Sequence, residues 1–312
     1  MVRIGTSELE IFPLSLGGNV FGWTADEASS FSILDAFVAG GGNFIDTADV
    51  YSAWVPGHHG GESETIIGNW VRQRGNRDRV IIATKVASHA EAPGASRASI
   101  EKGIEASLRR LQTDYIDLYY IHRDDPETPL EETISALNDL VVAGKVRAIA
   151  ASNFKADRLA EALRISDETG AARFVALQPH YNLVYRQEFE GDLAAVVEAV
   201  GLSTIPYSSL ASGFLTGKYR DDDTGRDTSP RAGGARKYLD DRGRAVLAAL
   251  DEIARNHDVE VGTVALAWLR QQPTVVAPIA SASTVEQVPG LLASATLGLT
   301  AEELACLSAL TA

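Results

Sequence analysis

Eight short apolar runs, each followed by a stretch of helical character, constrain this chain more than any other feature. They are "LSLGG" near Leu14, "NFIDTA" near Phe44, "VIIATKV" from Val80, "DLYYIH" from Asp117, "VRAIAAS" from Val146, "FVALQPHY" from Phe174, "LSTIPYSSL" from Leu202 and "VVAPIASA" from Val275. Most are continuously apolar rather than alternating, the pattern of strands buried on both faces. Between them, "SRASIEKGIEASLRRLQ" sets Ile100, Ile104, Leu108 and Leu111 on one helical face. "PLEETISALNDLVVAGK" opens at Pro129 and ends near Gly144, fitting start and stop residues. "TVEQVPGLLASATL" offers Thr284 as an N-cap, although Pro289 weakens that assignment. Further helical stretches follow Asp26, Glu62, Lys155, Phe189 and Arg242.

Eight strand-then-helix units with short connections predict an α/β fold, a closed (β/α)8 TIM barrel forming one domain over residues 1–312. The opening "VRIGTSELEIFP" predicts an N-terminal β-hairpin ahead of the first barrel strand. The rival is an open doubly wound sheet, which would carry a G-x-G-x-x-G fingerprint after its first strand. "LGGNVFG" and "PGHHGGE" have their glycines at other spacings, and a Walker-type phosphate loop is absent. One long polar loop runs from Tyr219 to Ala235, and a loop of that length in a compact domain is usually functional or disordered.

Charge narrows the function classes. The formal net charge is −14, with no evident basic face to neutralise phosphates, which argues against nucleic acid and against an anionic membrane surface. The single cysteine, Cys306, allows neither an internal disulfide nor a cysteine metal site and reads as a small buried hydrophobe. The N-terminus lacks the apolar core of a signal peptide and no run is long enough to span a bilayer, so a cytoplasmic protein is expected.

In such a barrel the active site lies at the C-terminal ends of the strands. That rule selects Asp46 with Tyr51 just beyond it, Lys85, His122, Ser152 with Asn153, Gln178 with His180, Tyr181 and Asn182, and Tyr207 with Ser208 and Ser209. Singly, each has an ordinary structural explanation: a solvated rim lysine, a hydrogen-bonded histidine, an aspartate capping its loop. An Asp, a Tyr, a Lys and a His converging on one rim are harder to explain that way. A tyrosine hydroxyl, with a reference pKa of about 10, donates poorly unless its anion is stabilised, and a neighbouring ammonium does this. A carboxylate beside that ammonium keeps it charged, and an imidazole can hold a substrate oxygen. The quartet suits protonation of a carbonyl oxygen while a separate donor supplies hydride. A metal-dependent hydrolase would need several His and Asp ligands at strand ends. His58 and His59 lie in a glycine loop and no His-x-His occurs, so no metal site is expected.

The segments "NFIDTADVYS", "GESETIIGNW", "ATKV", "DYIDLYYIHRDDPETPLEETI", "GKVRAIAASNF", "LQPHYNLVYR", "PYSSLASGFLTGKY" and "PIASASTVEQV" resemble, in order and spacing, those of the aldo-keto reductases over nearly the full length. The resemblance implies NADPH-dependent reduction of an aldehyde or ketone. It makes Tyr51 the general acid, Lys85 the group that lowers its pKa, Asp46 the partner of Lys85 and His122 the residue that orients the carbonyl. It assigns Ser152, Asn153 and Gln178 to the nicotinamide carboxamide, Tyr207 to stacking on the ring, and the backbone around Ser208, Leu210, Gly213 and Leu215 to the pyrophosphate. Lys218 and Arg231 become phosphate contacts, with the polar loop folding over the cofactor as a latch. Ser281, Ser283 and Gln287 would face the adenosine, where "IASAS" lacks the basic residue common in the family and Gly290-Leu291 stands for Glu-Asn. NADPH is expected, with NADH as the alternative that this weak phosphate site leaves open. Trp23 and Trp54 would wall a pocket for a small carbonyl substrate. The competing function is a nicotinamide-binding sensor or accessory subunit with little turnover.

Overall fold

The computed structural model describes residues 1–220 and 229–311. The antiparallel hairpin is β1 (Val2–Arg3) with β2 (Glu10–Ile11). The eight apolar runs then give β3 (Ser15–Gly17), β4 (Phe44–Asp46), β5 (Ile81–Val86), β6 (Ile116–Ile121), β7 (Val146–Ser152), β8 (Phe174–Gln178), β9 (Ser203–Thr204) and β10 (Ile279–Ala280). They form one parallel sheet in the order β10-β3-β4-β5-β6-β7-β8-β9. The ring is completed between its ends, where Val276 N–H donates to Thr204 O at 3.0 Å and Ile279 N–H to Pro206 O at 2.9 Å. The fold is the (β/α)8 barrel that the alternation predicts.

Successive side chains on a strand point to opposite faces. Phe44, Ile81, Ala83, Leu118, Tyr120 and Ala176 fill the barrel interior, while Ile45, Ile82, Tyr119 and Leu177 join the layer between sheet and helices. The hairpin adds Ile4, Leu9 and Ile11 to the interior cluster. It is tied to the starts of the strands, with Gly5 N–H donating to Ser203 Oγ at 2.8 Å and Phe12 N–H to Asn43 Oδ1 at 2.8 Å. This plug covers the N-terminal end of the barrel and leaves the C-terminal end as its mouth.

Helices Glu27–Ala39, Glu62–Arg74, Arg97–Leu111, Leu130–Val142, Ala156–Thr169, Asp192–Ala199 and Asp241–His257 occupy the expected stretches. Three expectations are corrected. Thr284 makes no side-chain cap; a single 3-10 turn at Val285–Gln287 leads into a short helix, Val288–Ala293, whose first turn takes Pro289. Cys306 is exposed, because the helix Ala301–Ala309 turns Leu307 inward and the neighbouring position outward. The polar loop ends in a short helix, Ala232–Arg236, while its residues 221–228 lie outside the described residues.

Candidate active site

The period of two that fills the barrel also builds its mouth. Two residues beyond inward Phe44 comes Asp46, beyond Ala83 comes Lys85, beyond Tyr120 comes His122, beyond Ala150 comes Ser152 and beyond Ala176 comes Gln178. Each strand thus runs apolar until its last inward position, which is polar. Lys85 is fully buried. Its Nζ donates to Asp46 Oδ2 at 2.6 Å, to the carbonyl of Thr47 at 2.8 Å and to the Tyr51 hydroxyl at 2.9 Å. All three ammonium protons therefore have acceptors, the condition under which a buried charge is tolerated. Asp46 is anchored from its other oxygen by Gln178 Nε2 at 2.9 Å.

Burial pushes the Lys85 ammonium below its usual range, and Asp46 opposes that shift. The Tyr51 hydroxyl lies well above its usual value, from burial first and the adjacent Asp46 carboxylate second. Desolvation of the phenolate sets the direction of this shift. Tyr51 keeps its proton at neutral pH, with the Lys85 ammonium in hydrogen-bond contact with its oxygen. His122 lies 6.1 Å from Tyr51, ring to ring and edge-on. Burial, then the charges of Lys85 and Arg123, holds its pKa well below the ordinary value, so the ring is neutral.

Around the quartet the strand ends lock together. Ser152 Oγ donates to the Gln178 carbonyl at 2.9 Å, Asn153 Nδ2 to the His122 carbonyl at 2.8 Å, and the Tyr207 hydroxyl to Asn153 Oδ1 at 2.8 Å. Tyr207 stacks on His180 at 5.2 Å, which stacks in turn on Tyr185 at 3.9 Å. Tyr207 thus presents a ring backed by two others.

A cleft of about 700 Å³ leads away from Asp46, Tyr51 and Tyr207. It passes Ser208, Leu210, Gly213, Lys218 and Arg231 and ends among Ser281, Ser283, Gln287, Gly290 and Leu291. The Leu215 side chain is buried in the core, and its neighbours Ser212 and Thr216 line the wall. Arg231 lies with its guanidinium carbon 5.3 Å from the Trp23 ring centre, and its Nη2 is buried without a hydrogen-bond partner. Trp23 meets Trp54 edge to face at 5.6 Å, and Trp54 meets Tyr51 at 6.2 Å. Trp54 is 48% exposed, an aromatic face open at the mouth.

The donor set fits an extended dinucleotide. An orphaned guanidinium N–H and a lysine line the middle of the cleft, where a pyrophosphate would lie, and a flat tyrosine flanks the quartet. Hydroxyls and an amide line the far end.

Some site residues escaped the sequence reading. Glu64 is fully buried behind the quartet, accepting from Thr84 Oγ1 and, at 2.6 Å, from Arg110 Nε. Its signal was present: Glu64 sits three and seven residues before buried Ile67 and Val71, on the inward face of its helix. Asn19, whose Oδ1 accepts from Ser281 Oγ at 2.6 Å, and Glu260 also line the cleft or its partners. Asp49 lies in the loop that follows Asp46. It is buried, and neither carboxylate oxygen has a well-formed hydrogen-bond partner.

The sequence profile of the aldo/keto reductase family matches residues 13–312. "Protein tas" of Escherichia coli is 33% identical over 97% of this chain and 95% of its own length. "Aldo-keto reductase AFTS1" of Alternaria alternata is 34% identical, covering 96% and 88%. "Norsolorinic acid reductase B" of Aspergillus parasiticus is 34% identical, covering 95% and 80%. With the barrel, the polar mouth and the long cleft, these likenesses establish that the chain belongs to the aldo/keto reductase family, oxidoreductases that use NAD(P)H.

Proposed function

We propose that the protein reduces an aldehyde or ketone to the alcohol, with Tyr51 as general acid and Lys85, Asp46 and His122 in support. The observation that carries this reading is the fully buried Lys85 ammonium, 2.6 Å from Asp46 and 2.9 Å from the Tyr51 hydroxyl at the floor of the cleft. When bound, the reduced nicotinamide supplies hydride to the carbonyl carbon. The carbonyl oxygen is held by the Tyr51 hydroxyl and the neutral His122 ring. As negative charge grows on that oxygen, Tyr51 transfers its proton. Lys85 then stabilises the phenolate, a charge that burial alone would forbid. Asp46 keeps Lys85 protonated, and Gln178 keeps Asp46 in place. The reverse direction oxidises an alcohol through the same atoms.

Ser152, Asn153 and Gln178 are the candidates for the carboxamide and Tyr207 for the ring, with Arg231 and Lys218 on the phosphates. Trp23 and Trp54 would flank the substrate, which favours a carbonyl compound with an apolar or aromatic body. Of the two cofactors, NADPH is the family-based expectation, and the adenosine end of the cleft decides between it and NADH.

The test is NADPH and NADH oxidation with a panel of aldehydes and ketones, beside Tyr51→Phe. The variant should lose about 10²–10⁴-fold in kcat, the usual weight of a general acid, and still bind cofactor by tryptophan fluorescence. Equal turnover by the variant would remove Tyr51 from the mechanism.

A further inference from the structure

The far end of the cleft carries Ser281 and Ser283 where the family commonly has a basic residue, and a carboxylate lines the same end. Glu260 precedes the helix Val261–Arg270 and lines this end with Gln287, Gly290 and Leu291. A Cβ built on Gly290 would stand 2.4 Å from Glu260 Oε2 and 2.7 Å from its carboxyl carbon. The Glu260 carboxylate therefore lies in the space that any side chain at position 290 would need. Glycine there lets Glu260 reach in from another element. The two segments are fixed together by Thr263 Oγ1, which donates to the Gly290 carbonyl at 2.8 Å.

The neighbouring hydrogen-bonding groups are already engaged within the protein. Ser281 Oγ donates to Asn19 Oδ1 at 2.6 Å, and Ser283 Oγ pairs with Thr24 Oγ1 at 2.8 Å. The Ser283 N–H is taken by Gln287 Oε1 at 2.8 Å. Among the described residues, the cations that line the cleft are Lys218 and Arg231. Lys218 lies against Gly213, and Arg231 lies over Trp23, whose chain neighbour Thr24 pairs with Ser283. A phosphate normally needs charge-assisted donors. This end offers an acceptor carboxylate instead, which suits the donors of adenosine itself, its ribose hydroxyls and amino group.

We propose that Glu260, admitted by Gly290, makes this protein prefer NAD(H) over NADP(H) by accepting hydrogen bonds from the adenosine moiety and repelling a 2′-phosphate. The inference rests on the nicotinamide reading, because a nicotinamide seated at Tyr51 and Tyr207 sends the other end of an extended dinucleotide towards Glu260.

The test is calorimetric titration of the full chain with NAD+ and with NADP+, which needs no turnover. Wild type should bind NAD+ on the order of tenfold more tightly or better, and Glu260→Gln should narrow that ratio by about tenfold, or ~1.4 kcal/mol. Glu260→Arg, with a cation in the same place, should invert the preference. Glu260 is exposed, so the NADP+ penalty should also shrink as salt rises from about 0.05 M to about 0.5 M. Wild type binding NADP+ as tightly as NAD+, or an unchanged ratio in both variants, overturns the role of Glu260 while leaving the reductase reading intact. If neither dinucleotide binds, both readings fall together.

Discussion

Asp49 shows what a buried carboxyl without a partner costs. Burial, with the neighbouring Glu64 carboxylate second, pushes its pKa up to about 8. An unfolded aspartate titrates near 4. Below about pH 4 both states hold the proton, and folding gains the full benefit. Between there and about pH 8 the unfolded chain releases the proton while the folded chain keeps it, so stability falls as pH rises. Asp49→Asn carries no titrating group and should escape this fall. Its thermal midpoint relative to wild type should climb steadily between about pH 5 and pH 8. A constant difference across that range would mean that Asp49 is ionised in the folded protein. The same residue marks a limit of sequence reading. "FIDTADVY" shows two aspartates three positions apart. Only the contacts of Lys85, 39 residues from Asp46 along the chain, separate the paired one from the unpaired one. The quartet itself was legible because strand ends are defined by apolar runs. Glu260 was not, since its place depends on the absence of a side chain at Gly290.

At the scale of elements, the helices Glu62–Arg74 and Arg97–Leu111 approach closely at Gly68. A Cβ there would stand 2.2 Å from the Arg110 carbonyl oxygen and 2.8 Å from Leu111 backbone. Alanine is the better helix former by about 1 kcal/mol, but the clash is with backbone and cannot be relieved by a rotamer. Gly68→Ala should therefore destabilise the protein by about 1–3 kcal/mol, read as a lower urea midpoint. A midpoint raised by the intrinsic propensity gain would show that the two helices can separate freely. The same contact holds Glu64 and Arg110 in register behind Lys85. Most elements could be read in advance because buried parallel strands and amphipathic helices leave distinct periodicities. The helix Val261–Arg270 was harder to read, because it is almost continuously apolar. Gly262 to Leu269 are all buried, and polar character is confined to its ends and to Thr263. It is the element that delivers Glu260 to the cleft.

Across the whole molecule the barrel is unevenly sewn. β6 and β7 pair along most of their length, whereas β9 and β10 are two-residue strands. The seam between them relies on the N–H groups of Thr204, Val276 and Ile279. Short ladders open at lower free energy than long ones. Hydrogen exchange followed by mass spectrometry should find residues 275–280 exchanging faster than β5, β6 and β7. Equal protection would show that the ring opens only as a unit.

That seam lies beneath the cleft. Tyr207 and Ser208 follow β9, while Ser281 and Ser283 follow β10, so a dinucleotide lying along the cleft would bridge the loosest joint of the ring. Binding to the folded state alone stabilises it in proportion to the logarithm of ligand concentration over Kd. The protein's lifetime against proteases would then track the nicotinamide supply, and a starved cell would thin out this enzyme before any change in its synthesis.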